Sequence, residues 1–262
     1  LWFPLCDPAR ALLFVFLGPF FGAIFGIVLG ASIAESIRGR SRWWGVVAWF
    51  TLLCMSAFFH VWRIYTEPSV FFYHPIVGYF AGPIYDTTAE VSSAYWLHRL
   101  WWLGGLPLFL APWFQERKRW RLIGLVWLLT LFSMKSLLGF DPGRHEIMKH
   151  LSVEKSGTYV RVSADPNGYT KQDLEQLVRV MDFHVVDLCS WLGRALPTTA
   201  VHALVFKDSE QKRRLMGAGR TEVAKPWLNE IYVAGIKPGD SVIRHELAHV
   251  LAGDLASGPM EV

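Results

Sequence analysis

Apolar runs of about twenty residues constrain this chain most, because a helix that crosses a bilayer needs roughly that length. Four stretches qualify on the sequence: Ala11–Ala34, Trp43–Trp62, Ala94–Phe114 and Trp120–Gly139. Trp43, Trp44, Trp62, Trp101, Trp102, Trp113 and Trp120 lie near their ends, as interfacial aromatics do. His98 with Arg99, and Lys135, sit near the ends of the third and fourth, where long cationic stems can reach an interface. The expected fold class is therefore an α-helical membrane bundle of about four spans followed by an α+β domain. Residues 1–140 form the membrane region, 141–157 a linker and 158–262 the α+β domain.

The basic residues support an orientation. Arg38, Arg40 and Arg42 separate the first two stretches, and Arg117, Lys118, Arg119 and Arg121 separate the last two. Short cationic loops stay cytoplasmic, which puts Arg63–Val91 and everything after Phe140 on the other side. Val70–Tyr85 is apolar but short and broken by Pro75, Gly78, Gly82 and Pro83, so it reads as an interfacial or re-entrant piece. His60, His74 and His98 are isolated in sequence and read as structural. The net charge of +4 is spread over these short loops and is no nucleic-acid signature. Three cysteines (Cys6, Cys54, Cys189) are too few and scattered for a disulfide framework, and the last two read as core thiols.

The second half has a soluble rhythm. His145 and His150, five apart, read as linker residues. Thr158–Val162 alternates like a strand, and Thr170 with Asp173 forms a capping-box pattern opening a helix to about Leu192, with Gly193 beyond. Leu174, Leu177, Val178, Met181, Val185 and Leu188 supply its apolar stripe; His184 within it reads as structural. Val201–Phe206 is a second strand, Asp208–Met216 a short charged helix, and Asn229–Ala234 a third strand. After the turn at Pro238-Gly239 and a cap at Asp240 or Ser241 comes His245-Glu246-Leu247-Ala248-His249. On a helix, His245 and His249 share one face and can grip one Zn2+, with Glu246 beside them as a base for water. That helix is apolar on most sides and is expected to be buried, where unpartnered imidazoles would be costly.

Strand, helix, strand, helix, strand and then His-Glu-Leu-Ala-His resembles the gluzincin, peptidase-MA-like zinc metallopeptidases. The resemblance covers about Gly157–Gly253 and rests chiefly on residues 245–249. It implies a zincin-like domain that hydrolyses peptide bonds, with Glu246 catalytic and His245 and His249 metal ligands. It also implies an edge strand along which a peptide or protein substrate lies, matched here by Asn229, Ile231 and Val233; an internal strand is the competing reading. A gluzincin further needs a glutamate on a later helix. Glu261 follows His249 too closely, across Gly253, Gly258 and Pro259, and a metzincin ligand would fall at Leu255. The chain, which opens on Leu1, is therefore expected to be a fragment whose third ligand lies past Val262. The implied setting is a bacterial inner membrane, with the domain extracytoplasmic and the lipid bilayer and a peptide as partners.

Two alternatives stay open. His249 followed by Asp254 is similar to the extended motif of HtpX-type membrane metallopeptidases, whose active site is cytoplasmic. A membrane sensor or assembly protein keeping a zincin fold without turnover is the other. A site-2 protease fits less well, because Asp240, Arg244 and Asp254 punctuate the motif helix.

Overall fold

The computed structural model describes residues 8–80, 93–114, 116–134 and 142–253. Cys6, Gly82, Pro83, Lys135, Asp141, Asp254, Leu255, Gly258, Pro259 and Glu261 lie outside them. The chain divides into a helical unit, up to Pro142, and a sheet unit from Gly143 onward.

In the helical unit, α1 (Pro8–Val15) runs through a π-helical turn at Phe16–Phe20 into α2 (Phe21–Ser36). Pro19 sits in that turn. A proline has no N–H to donate and crowds the carbonyl one turn back, and the wider π turn accommodates both defects. α3 (Trp43–Thr66) follows, then an antiparallel hairpin of β1 (Phe72–His74) and β2 (Gly78–Phe80). The described part of the Val70–Tyr85 stretch, as far as Phe80, thus turns back on itself through this hairpin. At Gly22 of α2 a Cβ would meet Ile76 O at 1.8 Å, so only glycine lets the hairpin turn approach. α4 (Ser93–Leu110) and α5 (Arg117–Ser133) pack tightly: a Cβ at Gly124 would lie 2.5 Å from Leu108 N.

The expectation of about four spans is overturned. Among the described residues two helices are long and apolar enough to cross a membrane: Leu12–Ser36, with mean hydropathy 2.5, and Trp43–Thr66, with 1.6. α5 has 17 residues, about 26 Å at 1.5 Å each, and opens on Arg117, Lys118, Arg119 and Arg121. α4 carries Arg99 in its middle rather than at a snorkelling end. This guanidinium is 1% exposed and donates to the carbonyls of His74 (3.2 Å) and Pro75 (2.8 Å) and to Tyr95 Oη (2.9 Å). Cys54 is exposed on α3, not a core thiol, whereas Cys189 is buried.

The sheet unit holds a mixed five-stranded sheet in the order β3-β4-β5-β7-β6. Its strands are β3 (Val153–Ser156), β4 (Val160–Ala164), β5 (Val201–Phe206), β6 (Val223–Lys225) and β7 (Glu230–Ala234). β4, β5 and β7 run parallel, while β3 and β6 are antiparallel margins. The expected polar linker therefore contains a helix, α6 (Arg144–His150), and the first strand. α7 (Lys171–Trp191) opens with the expected capping box between Thr170 and Asp173. α8 (Ser209–Met216) is capped by Asp208, and α9 (Ser241–Ala252) carries the His-Glu-Leu-Ala-His motif.

Alternation sorts the two sheet faces. Val160, Val162, Val201, Ala203, Val205, Ile231 and Val233 meet Leu177, Met181 and Val185 of α7 and Ile243 and Leu247 of α9 in one core, all 0% exposed. The reverse face is polar at its centre, where Arg161, His202 and Glu230 lie side by side across three strands.

Candidate active site on helix α9

Ile243, Leu247 and Val250 anchor α9 on the sheet, which turns the motif's polar residues toward the other sides of the helix. Asp240 fixes the entry: its carboxylate accepts from Lys237 N at 2.7 Å, and the Asp240 N–H donates to Lys237 O at 3.1 Å. It does not cap α9 through its side chain.

His245 and His249 converge. Their Nε2 atoms are 3.1 Å apart and the ring planes stand at 87°. Two nitrogens at zinc distances of about 2.0–2.1 Å in a tetrahedral arrangement are about 3.3 Å apart, so the pair already has a chelate's bite. Both rings are exposed, contrary to the expectation of a buried pair. The cost of burial falls instead on Glu246, which is 5% exposed, with Oε1 4.0 Å from His245 Nε2. Desolvation pushes its carboxyl above the usual carboxylate range, and His245, His249 and Lys212 pull it part of the way back.

Sequence reasoning missed what stands behind Glu246. Lys212, from the short charged helix, is 0% exposed; its ammonium pairs with Glu222 and donates to Thr221 O at 2.8 Å. Glu222 also accepts from Ala234 N at 3.4 Å. Burial raises the Glu222 carboxyl, Lys212 lowers it, and Glu246 raises it again. Two acids thus share the field of one buried ammonium. No spacing rule foretells this, since Lys212 reads in sequence as one charge of a solvated run.

The proposed substrate strand is corrected. β7 lies between β5 and β6, so it is internal: Ile231 and Val233 are 0% exposed core residues. Asn229 holds a left-handed turn, φ 56°, and its amide donates to Ala200 O at 3.0 Å. The sheet margin beside α9 is β6, a three-residue strand too short and too plain to stand out in sequence.

A second polar cluster lies on the reverse face. Ser163 Oγ is 2.8 Å from His202 Nε2, and Arg144 grips both oxygens of Glu230, whose carboxylate also accepts from Tyr232. The order serine, histidine, glutamate suggests a nucleophile, but Ser163 is 0% exposed and no substrate could reach it. These groups satisfy one another, and the Arg144–Glu230 pair fixes α6 to β7.

Among the described residues no group of three or more His, Cys, Asp or Glu could hold a metal ion, so His245 and His249 stand as a two-donor site. No protein-family model, curated protein or solved structure matches the chain. The resemblance to gluzincins therefore rests on the sequence of residues 245–249.

Proposed function

We propose that this chain is a membrane-anchored zinc metallopeptidase whose site is His245, Glu246 and His249. The observation that carries it is the pairing of a 3.1 Å bite between two exposed imidazoles with a desolvated carboxylate one residue away. A surface histidine pair alone could be incidental. A carboxylate kept from water beside it costs stability and calls for a use.

A zinc ion on this pair would supply Lewis acidity, lowering a water's pKa toward about 7 and polarising the scissile carbonyl. The chain's own part is acid–base work. Glu246 takes a proton from the attacking water and returns it to the leaving amine, so the carboxylate ends as it began. Its raised affinity for protons suits both halves of that cycle. β6, the sheet margin beside α9, is where an extended peptide would lie along the sheet.

Two candidate spans flank the Arg38–Arg42 loop, and short cationic loops stay cytoplasmic. Residues after Thr66 then lie outside the cytoplasm of a bacterial inner membrane. Arg117–Arg121 falls on that side too, against the expectation from charge, which makes a tag at Lys118 informative. The full chain in detergent should bind one zinc and cleave a mixed peptide pool, with cleavage lost and zinc kept in Glu246→Gln. Stoichiometric zinc without Glu246-dependent cleavage would replace this reading with a non-catalytic zinc-binding protein.

A further inference from the structure

Beside His245 the surface opens into a cleft of about 770 Å³ between the C-terminal end of α7 and the first turns of α9. That size lies within the range of about 300–1,000 Å³ usual for ligand pockets. Leu188, Val242 and Ala248 form its apolar lining, and Trp191, Arg244 and His245 stand in its walls. Trp191 is 76% exposed, an indole left in water at a concave site. The Arg244 guanidinium is held by Asp187, with N···O distances of 3.0 and 3.3 Å, so the rim carries little net charge.

We infer that this cleft is the specificity pocket of the site: it takes a large apolar side chain, best an aromatic one, from the substrate residue adjoining the scissile bond. The inference rests on the peptidase reading of His245, Glu246 and His249. Three features select this occupant. His245 belongs both to the imidazole pair and to the cleft wall, so a peptide bond seated at the pair has its neighbouring residue, about 3.5 Å along an extended chain, within reach of the cleft. Leu188, Val242, Ala248 and Trp191 make up over half of the lining, and among its polar members, Ser241, Arg244 and His245, the Arg244 charge is already paired with Asp187, so a charged occupant gains little for the water it loses. The open indole face is a partner that an aromatic ring gains more from than an aliphatic one. A flat docking patch would need no such concavity, and the other exposed apolar residues of α7, Phe183 and Val186, do not line it.

The test uses the full chain in detergent, supplied with zinc, and two internally quenched peptides that differ by Phe or Ala beside the cleaved bond. Trp191→Ala should lower kcat/KM on the Phe peptide about tenfold and change the Ala peptide less than twofold, with Trp191→Phe restoring the preference. Equal losses on both peptides, or no loss on the Phe peptide, would overturn the inference while leaving the peptidase intact. A second measurement needs no turnover: fluorescence anisotropy of the labelled peptides on the Glu246→Gln chain, with and without Trp191→Ala. If wild type cleaves neither peptide, the peptidase reading fails. A Trp191-dependent preference for the Phe peptide in anisotropy would still uphold the cleft as a binding site, and its absence would remove that as well.

Discussion

The two units use histidine in opposite ways. In the helical unit His74 is 5% exposed and fully engaged: Nδ1 accepts from the Ile76 and Val77 N–H groups, both at 3.0 Å, and Nε2 is 2.7 Å from Ser56 Oγ. His98 is equally buried, with Nε2 accepting from Trp102 Nε1 at 3.1 Å. In the sheet unit His245 and His249 stand in the open, with their Nε2 atoms turned on one another. Sequence made the first set look scattered, yet the His60 and His74 ring centroids are 4.9 Å apart. Proximity of imidazoles therefore does not mark a site by itself. What sets His245 and His249 apart is exposure: both rings stand in solvent, whereas His74 and His98 are buried.

The contrast breaks most sharply on metal. His245→Ala or His249→Ala should abolish zinc uptake by the full chain, read by elemental analysis, whereas His74→Ala should leave the zinc content unchanged; loss of zinc in His74→Ala would erase the distinction. Next in size, Glu246→Gln should cut peptide cleavage by about a thousandfold, within the usual reach of general base catalysis. Because burial raises the Glu246 carboxyl, its titration in the zinc-free chain, followed by NMR, should have a midpoint above the ordinary value of 4.5. A midpoint at or below that value would deny the effect of burial.

His202 sharpens the comparison through stability. Desolvation first, then Arg161, lowers its pKa to about 4, so it is neutral in the fold and the unfolded chain binds the extra proton. Its contribution is intact above about 6.5 and is lost as pH falls toward 4, about 3 kcal/mol in all. Hydrogen exchange of the β4 and β5 amides should speed up across that window, and His202→Asn should flatten the response. His74→Ala, which strands two N–H groups in the hairpin turn, should cost about 1–3 kcal/mol in thermal unfolding. Asp187→Asn, which removes an exposed partner of Arg244, should cost no more than about 1 kcal/mol.

Much of the sheet unit was legible. The Thr170–Asp173 capping box, Gly193 with φ +64° beyond α7, and strands β5 and β7 are local signals, and each formed where its residues indicate. The imidazole pair was legible too, because a four-residue spacing on a helix fixes a shared face. What sequence hid is longer in range. β3, Val-Glu-Lys-Ser, and β6, Val-Ala-Lys, are too short to show alternation, and without β6 the next strand looks like a margin. The burial of Lys212 and Glu246 depends on which side of each helix meets the sheet, and composition reports only averages. The membrane count failed likewise: α4 looks apolar as a whole, but Arg99 spends its hydrogen bonds on a hairpin twenty-five residues upstream.

The two margins of the sheet differ in how they meet strangers. β3 is fenced by ionic bonds, Lys155 to Glu175 and Glu154 to Arg161, so another copy of the chain finds no smooth border there to join. β6 has only three rungs, so the border it presents ends almost as soon as it begins. An intruding strand would find little there to hold.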